Sequence, residues 1–289
     1  MSVESLEQSQ DEPSHDDDDG DAKAVQKEVE NKEGRFDRQL KVLLAKQESV
    51  VFSLERLQER APFSCTGTKT VKLSSRDVAK NHPDLEKLLP KSEPDHLKES
   101  SSCAVVGNSG KLLETQFGEA IDRHESVFRF NAAVTEGYEQ FVGSKTTFRI
   151  LNRPESAQRY LDSEETTFTS VRDNGDIRSW ARAVKQLPNP AESSYFFDPE
   201  FLCHAWKMVH RKGEKPSSGL IGIVLALHLC PKGKIDVYGF HSSNYFSKDS
   251  RPHYYDWERP KKGRERVHPF GEERRLYLAL QQHGYLKLH

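Results

Sequence analysis

The apolar positions of this chain fall into two regimes, and the change between them comes at Cys103. Upstream, Phe36, Leu40, Leu43, Leu44, Val50, Val51, Leu54 and Leu57 recur at roughly helical intervals among Lys, Arg, Glu and Gln, which predicts an amphipathic helix over 35–60. Such a helix could be a stem, a partner-binding surface or a helix packed on its own domain. Residues 61–100 are rich in Ser, Pro and Lys and read as a linker or lead-in, with one short helix around Pro83 to Leu89. At Cys103-Ala-Val-Val106 a short apolar run meets the turn Gly107-Asn-Ser-Gly110. Leu112, Leu113, Phe117 and Ile121 then share one helical face over 111–125. Strand, glycine turn and helix in that order open an α/β unit.

The alternation continues to the C-terminus. Strands are predicted at 126–131, 146–151, 166–171, 194–197 and 234–240; helices are predicted at 177–186, at 199–212 and from Ser217 or Ser218 through Cys230. Strands alternating with helices predict a mainly parallel central sheet flanked by helices on both faces, the α/β class. Residues 101–289 are assigned to this one domain, and no internal repeat is visible.

Composition changes the picture at the N-terminus. Residues 1–34 hold twelve acidic and three basic residues and almost no large aliphatic side chain, so they are expected to be a disordered tail. The formal net charge of −2 therefore hides a basic remainder, and Lys248, Arg251, Arg259, Lys261, Lys262, Arg264 and Arg266 crowd one segment. Basic density of this kind suits an anionic ligand or a solvated surface loop. No window approaches the ~20 apolar residues of a membrane span. Nor does the start of the chain show a signal peptide, opening as it does with Ser2, Glu4 and Glu7. The cysteines at 65, 103, 203 and 230 are too widely spaced for a zinc knuckle or a redox pair, which leaves disulfides or buried thiols.

In an open α/β sheet, ligands bind at the carboxyl ends of the strands. Three turns fall there: Gly107-Asn108-Ser109-Gly110, Asn131 at the end of Val127-Phe-Arg-Phe-Asn, and Pro216-Ser217-Ser218-Gly219 before an apolar helix. The first is either an anion-binding turn or a structural device, and the last either a ligand-binding helix start or plain N-capping. Neither the G-x-G-x-x-G spacing of a dinucleotide site nor the Lys-Ser/Thr of a phosphate-binding loop is present, which disfavours NAD and ATP. Near the C-terminus, His253-Tyr254-Tyr255-Asp256 and His268 with Glu273 put two imidazoles on loop-like sequence. Histidine takes up a proton near neutrality and is a natural general base.

These pieces, in this order, resemble the sialyltransferase family, glycosyltransferase family 29. Its long sialylmotif is similar to Cys103–Arg149, its short motif to Pro216–Phe240, its third motif to His253–Asp256, and its very short motif to His268 and Glu273. The resemblance implies a variant GT-A-like, Rossmann-like glycosyltransferase fold and transfer of sialic acid, or a related sugar, from a CMP-sugar to a terminal galactose-type hydroxyl. It implies that Asn108, Ser109 and Asn131 bind the CMP part of the donor and that Ser217, Ser218 and Gly219 hold the donor at a helix N-terminus. His268 would be the catalytic base and His253 would contact the departing phosphate, with Tyr254 and Glu273 in support. Cys103 and Cys230 would form a disulfide, and Cys65 and Cys203 have no secure counterpart.

The reaction so implied inverts the anomeric centre by direct displacement and uses no metal or other cofactor beyond the CMP-sugar itself. Nucleotide-sugar donor and glycan or glycoconjugate acceptor are the expected partners, nucleic acid is not, and a membrane enters only through an N-terminal anchor absent from these residues. Resemblance places the protein in the Golgi lumen. Relatives that keep the motifs while using Kdo or galactose donors, and catalytically silent nucleotide- or glycan-binding relatives, are the alternatives. A further reading is an interaction protein built on the acidic tail and the helix near 36–58.

Overall fold

Among the described residues, seven strands build one parallel sheet in the order β5-β4-β3-β2-β1-β6-β7. In chain order they are β1 (Ser102–Val106), β2 (Ser126–Phe130), β3 (Phe148–Leu151), β4 (Thr166–Thr169), β5 (Ser194–Phe196), β6 (Lys234–Tyr238) and β7 (Lys287–Leu288). The computed structural model describes residues 49–59, 82–97, 99–160, 164–187, 189–240, 251–259 and 263–289. The acidic tail, most of the helix expected over 35–60, and Cys65 lie outside the described residues.

The chain steps outward from β1 to β5 and then returns to the other side of β1 with β6. The order therefore reverses beside β1, and a crevice opens at the carboxyl ends of the strands there. Successive residues of β1 serve opposite faces of the sheet. Ala104 and Val106 join Leu112, Ile121, Val127, Val142 and Tyr254 in one core cluster. Cys103, on the other face, reaches Cys230 at the end of the Ser218–Leu229 helix through a disulfide with a Cα–Cα distance of 6.3 Å. That helix is apolar around most of its circumference, Leu220 to Leu227 being buried throughout, as befits a helix enclosed by protein. Cys203 is likewise disulfide-bonded.

Two arginines inside the sheet fix the loops that follow it. Arg129 of β2 is fully buried and donates to the carbonyls of Val142 (2.7 Å), Gly143 (3.2 Å) and Lys145 (3.1 Å). Arg149 of β3 pairs with Glu165 and donates to the carbonyls of Asn131 and Ala133, both at 2.9 Å, pinning the turn after β2.

Some elements differ from expectation. The helix predicted over 111–125 is two short pieces, Gly110–Glu114 in 3-10 form and Gly118–Asp122. Thr115 breaks it: its hydroxyl donates to the Leu112 carbonyl at 2.8 Å and its backbone is extended. The helix predicted over 199–212 ends at Lys207, before His210 and Arg211 take positive φ. Leu85, Leu88, Leu89 and Leu97, expected in a linker or lead-in, are buried. Of the predicted amphipathic helix, Leu54–Glu59 is helical and packs on the domain, with Phe52 and Leu57 buried against Trp180 and Phe196. The Phe270–Gln282 helix was not foreseen.

Candidate active site

A cavity of about 230 Å³ opens at the switch point, and the loops named above line it: Asn108 and Ser109 after β1, Asn131 after β2, Ser217, Ser218 and Gly219 before the apolar helix, His253, His268 and Glu273. Tyr254 stands outside this lining. It is fully buried behind the wall, donating from its hydroxyl to the Val134 carbonyl at 2.6 Å, while its amide donates to the Asn108 carbonyl at 2.9 Å. Cys103 and Cys230 likewise act from behind, as a tie between β1 and the end of the Ser218–Leu229 helix.

The glycine turn is a structural device at both ends. A Cβ on Gly107 would meet the Gly239 carbonyl at 2.7 Å and one on Gly110 the Arg251 carbonyl at 2.3 Å, so only glycine lets β6 and the 251–259 segment close on the turn. Between them Asn108 is held by two donations from Nδ2, to the Phe130 carbonyl and to the Tyr255 hydroxyl, each at 3.2 Å. Its Oδ1 is buried and has no hydrogen-bond partner among the described residues. A buried acceptor in that state costs about 1–3 kcal/mol, which a ligand donor at the cavity wall would recover. Asn131 adopts a left-handed φ of 54°, which asparagine tolerates better than most residues. Its Oδ1 accepts from the Asn152 amide at 2.9 Å, so the turns after β2 and β3 are locked together. Asn152, at the cavity wall, escaped the sequence reading; its position just beyond a parallel strand was the available signal.

At the helix start the capping and ligand-binding alternatives separate by residue. The Ser217 hydroxyl accepts from the Leu220 amide at 3.1 Å and donates to Glu273 at 2.6 Å. Glu273 also accepts from the Ser217 amide at 2.8 Å and from the Tyr277 hydroxyl at 3.3 Å. Ser217 is thus an N-cap braced by a buried carboxylate, and Glu273 holds the helix start. Burial raises the Glu273 pKa, against which the hydrogen bonds from Ser217 and Tyr277 work. The amides of Ser218 and Gly219 head the helix at the cavity wall, where N–H groups and the helix dipole favour an anion.

The two histidines are held differently. His253 Nδ1 lies 2.8 Å from Asp256 Oδ1, its ring stacks on Tyr255 at 5.3 Å, and its backbone forms a β-bridge with Ser109. Asp256 can only accept, so Nδ1 carries a proton. His268 Nδ1 lies 3.4 Å from the Lys215 carbonyl, which likewise only accepts and so leaves Nε2 with its lone pair. Burial, followed by the charge of Lys215, lowers the His268 pKa to about 4, and the ring is neutral at pH 7.

A parallel sheet with a cavity at its switch point edged by asparagine, serine and histidine, an anion-favouring helix start and a neutral imidazole defines a Rossmann-like α/β ligand-binding protein. The chain belongs to glycosyltransferase family 29, the sialyltransferase family, whose model matches residues 44–173 and 164–285. It is 34% identical over 230 residues to sialyltransferase-like protein 1 of Arabidopsis thaliana, covering 75% of this chain and 41% of that protein. With the chicken (Gallus gallus) CMP-N-acetylneuraminate-beta-galactosamide-alpha-2,3-sialyltransferase 1 it shares 32% over 170 residues, 54% of this chain and 47% of the other. The chain thus spans less than half the length of these relatives. A crystal structure of a mammalian sialyltransferase superposes with a TM-score of 0.63 at 25% identity, covering 84% of this chain and 90% of that one. Among the described residues no helix is long and apolar enough to cross a membrane.

Proposed function

We propose that the protein transfers sialic acid, or a related acidic sugar, from a CMP-linked donor to a galactose-type hydroxyl of a glycan, inverting the anomeric centre. The observation that carries this reading is the convergence of Asn108, Asn131, the Ser218 helix start and the His268 ring on one cavity. Relatives named as CMP-N-acetylneuraminate and β-galactoside sialyltransferases support donor and acceptor class. In the proposed step the acceptor oxygen attacks the anomeric carbon while the bond from that carbon to the phosphate oxygen breaks. His268 Nε2 takes the hydroxyl proton, and CMP leaves with the electron pair. The departing CMP is a phosphate monoester and a stable anion, so the step asks for no metal and no covalent enzyme intermediate. What it requires is a base and donors that steady the departing charge. His253, in the cavity wall, supplies one such donor; the Ser218 and Gly219 amides supply others. Asn108 Oδ1 would accept from the nucleoside, with Ser109 and Asn131 alongside. Disulfides at Cys103–Cys230 and at Cys203 suit an oxidising compartment, in keeping with the Golgi lumen.

The test is His268→Ala in purified protein, with CMP binding and transfer from CMP-sialic acid and CMP-Kdo to a galactoside measured together. CMP affinity should stay within about twofold while turnover falls by roughly 10²–10⁴. Full turnover by the variant would remove His268 from the mechanism.

A further inference from the structure

A second cavity of about 150 Å³ abuts the first and shares Asn152, Ser218, Arg264 and His268 with it. Its walls carry four cations, Arg153, Arg172, Lys215 and Arg264, over an apolar side that includes Trp206 and Ile221. They come from separate places: the loops after β3 and β4, the lead into the Ser218–Leu229 helix, and the short helix before His268. Among the described residues only Arg172 of the four has a carboxylate partner, Asp176, at 2.7 and 3.0 Å. Lys215 records the excess of positive charge: burial first, then Arg172 and Arg264, hold its ammonium below the usual lysine range against the opposing pull of Asp176 and Glu214. Four cations against the one carboxylate, Asp176, that pairs with them leave the wall with an excess of positive charge, which fits a negatively charged ligand.

We propose that this cavity is the acceptor subsite and that it selects an acceptor sugar carrying a negative charge, such as a uronic acid or an already sialylated or sulfated saccharide. The inference rests on the transferase reading above and deepens it. His268 stands in the wall common to both cavities, so an acceptor hydroxyl from the cationic side and an anomeric carbon from the nucleotide side meet at the same ring. Trp206 and Ile221 offer the C–H face of a sugar ring an apolar surface, while Lys215 and Arg153 face its carboxylate. Both of these cations line only the second cavity, which makes them the specificity-determining residues to change.

The experiment uses the full chain saturated with CMP and titrates methyl β-galactopyranosiduronic acid against methyl β-galactopyranoside by saturation-transfer NMR. The acid should bind about tenfold or more tightly than the neutral sugar, as charge-assisted hydrogen bonds allow. Lys215→Gln and Arg153→Gln should each reduce that preference several-fold with CMP affinity unchanged; the second variant decides the matter should the first fail to fold. Equal affinities in the wild type, or a preference untouched by both substitutions, overturn the proposal. The donor's own carboxylate is tested in parallel. If Lys215→Gln weakens CMP-sialic acid but not CMP, the cavity reads the donor and the acceptor assignment falls. Should wild-type protein bind no CMP, the transferase reading fails on its own, and the uronate titration without nucleotide still decides whether the cavity prefers an acidic sugar.

Discussion

His268 shows how one residue's surroundings set its chemistry. The Lys215 carbonyl fixes the tautomer, while burial and neighbouring cations keep the ring neutral down to about pH 4. On the proposed mechanism the acid limb of kcat/KM should therefore lie well below pH 6.5. A CMP-sugar bound as proposed would set negative phosphate and carboxylate groups near the ring and favour the imidazolium, so the limb of kcat should lie at higher pH than that of kcat/KM. Coincident limbs near 6.5 in both profiles would contradict this. The same shift enters stability. Between about pH 6.5 and 4 the unfolded chain binds this proton and the folded chain does not, so stability is present above that window and is lost as pH falls through it. The contribution is on the order of 3 kcal/mol. Urea unfolding of His268→Gln should show a correspondingly flatter loss between pH 6.5 and 4 than the parent protein.

Among the elements, the Ser218–Leu229 helix turns sequence into site. Ser217 caps it, and Glu273 from the Phe270–Gln282 helix grips Ser217 at both amide and hydroxyl, so two distant segments fix where the helix begins. Ser217→Ala removes the cap and strips Glu273 of one donor. It should cost about 1–2 kcal/mol in denaturant unfolding and weaken CMP-sugar binding, whereas Ser218→Ala should stay within about 0.5 kcal/mol in stability. Equal unfolding midpoints for the two variants would refute the brace. The capping serine, the strands β1 to β6 and two of the asparagines beyond strand ends, Asn108 and Asn131, were legible because each is a local pattern: an apolar run, a turn, a cap. The brace was not. On the Phe270–Gln282 helix the inward stripe runs Glu273, Leu276, Tyr277, Leu280, and a carboxylate at a core position hides the apolar period. Thr115 similarly broke a helix whose apolar spacing alone read as continuous. The cationic cavity was only half legible. Arg264 stood out in a basic run, but Arg153, Arg172 and Lys215 come from three other loops and meet only through the fold.

At the scale of the whole molecule, the Cys103–Cys230 bridge ties the start of β1 to the far end of the apolar helix across 127 residues of sequence. Both half-cystines are buried, so the bond sits within the core and away from the cavity lining. Cross-linking a loop of this length restricts the unfolded chain, and removing a native bridge usually costs about 2–5 kcal/mol. Geometry at the site has other supports. β1 remains paired in parallel with β2 and β6, the turn after it is packed against Gly239 and Arg251, and the helix start is held by Glu273 at its opposite end from Cys230. Stability and binding should therefore separate in the Cys103→Ala/Cys230→Ala protein. Its urea midpoint should fall by an amount equivalent to about 2–5 kcal/mol, while CMP affinity, read by calorimetry on the folded baseline, stays within about twofold of the parent. A loss of CMP binding in protein that is still folded would mean that the bridge itself shapes the cavity; an unchanged midpoint would mean that it adds nothing the sheet does not already provide.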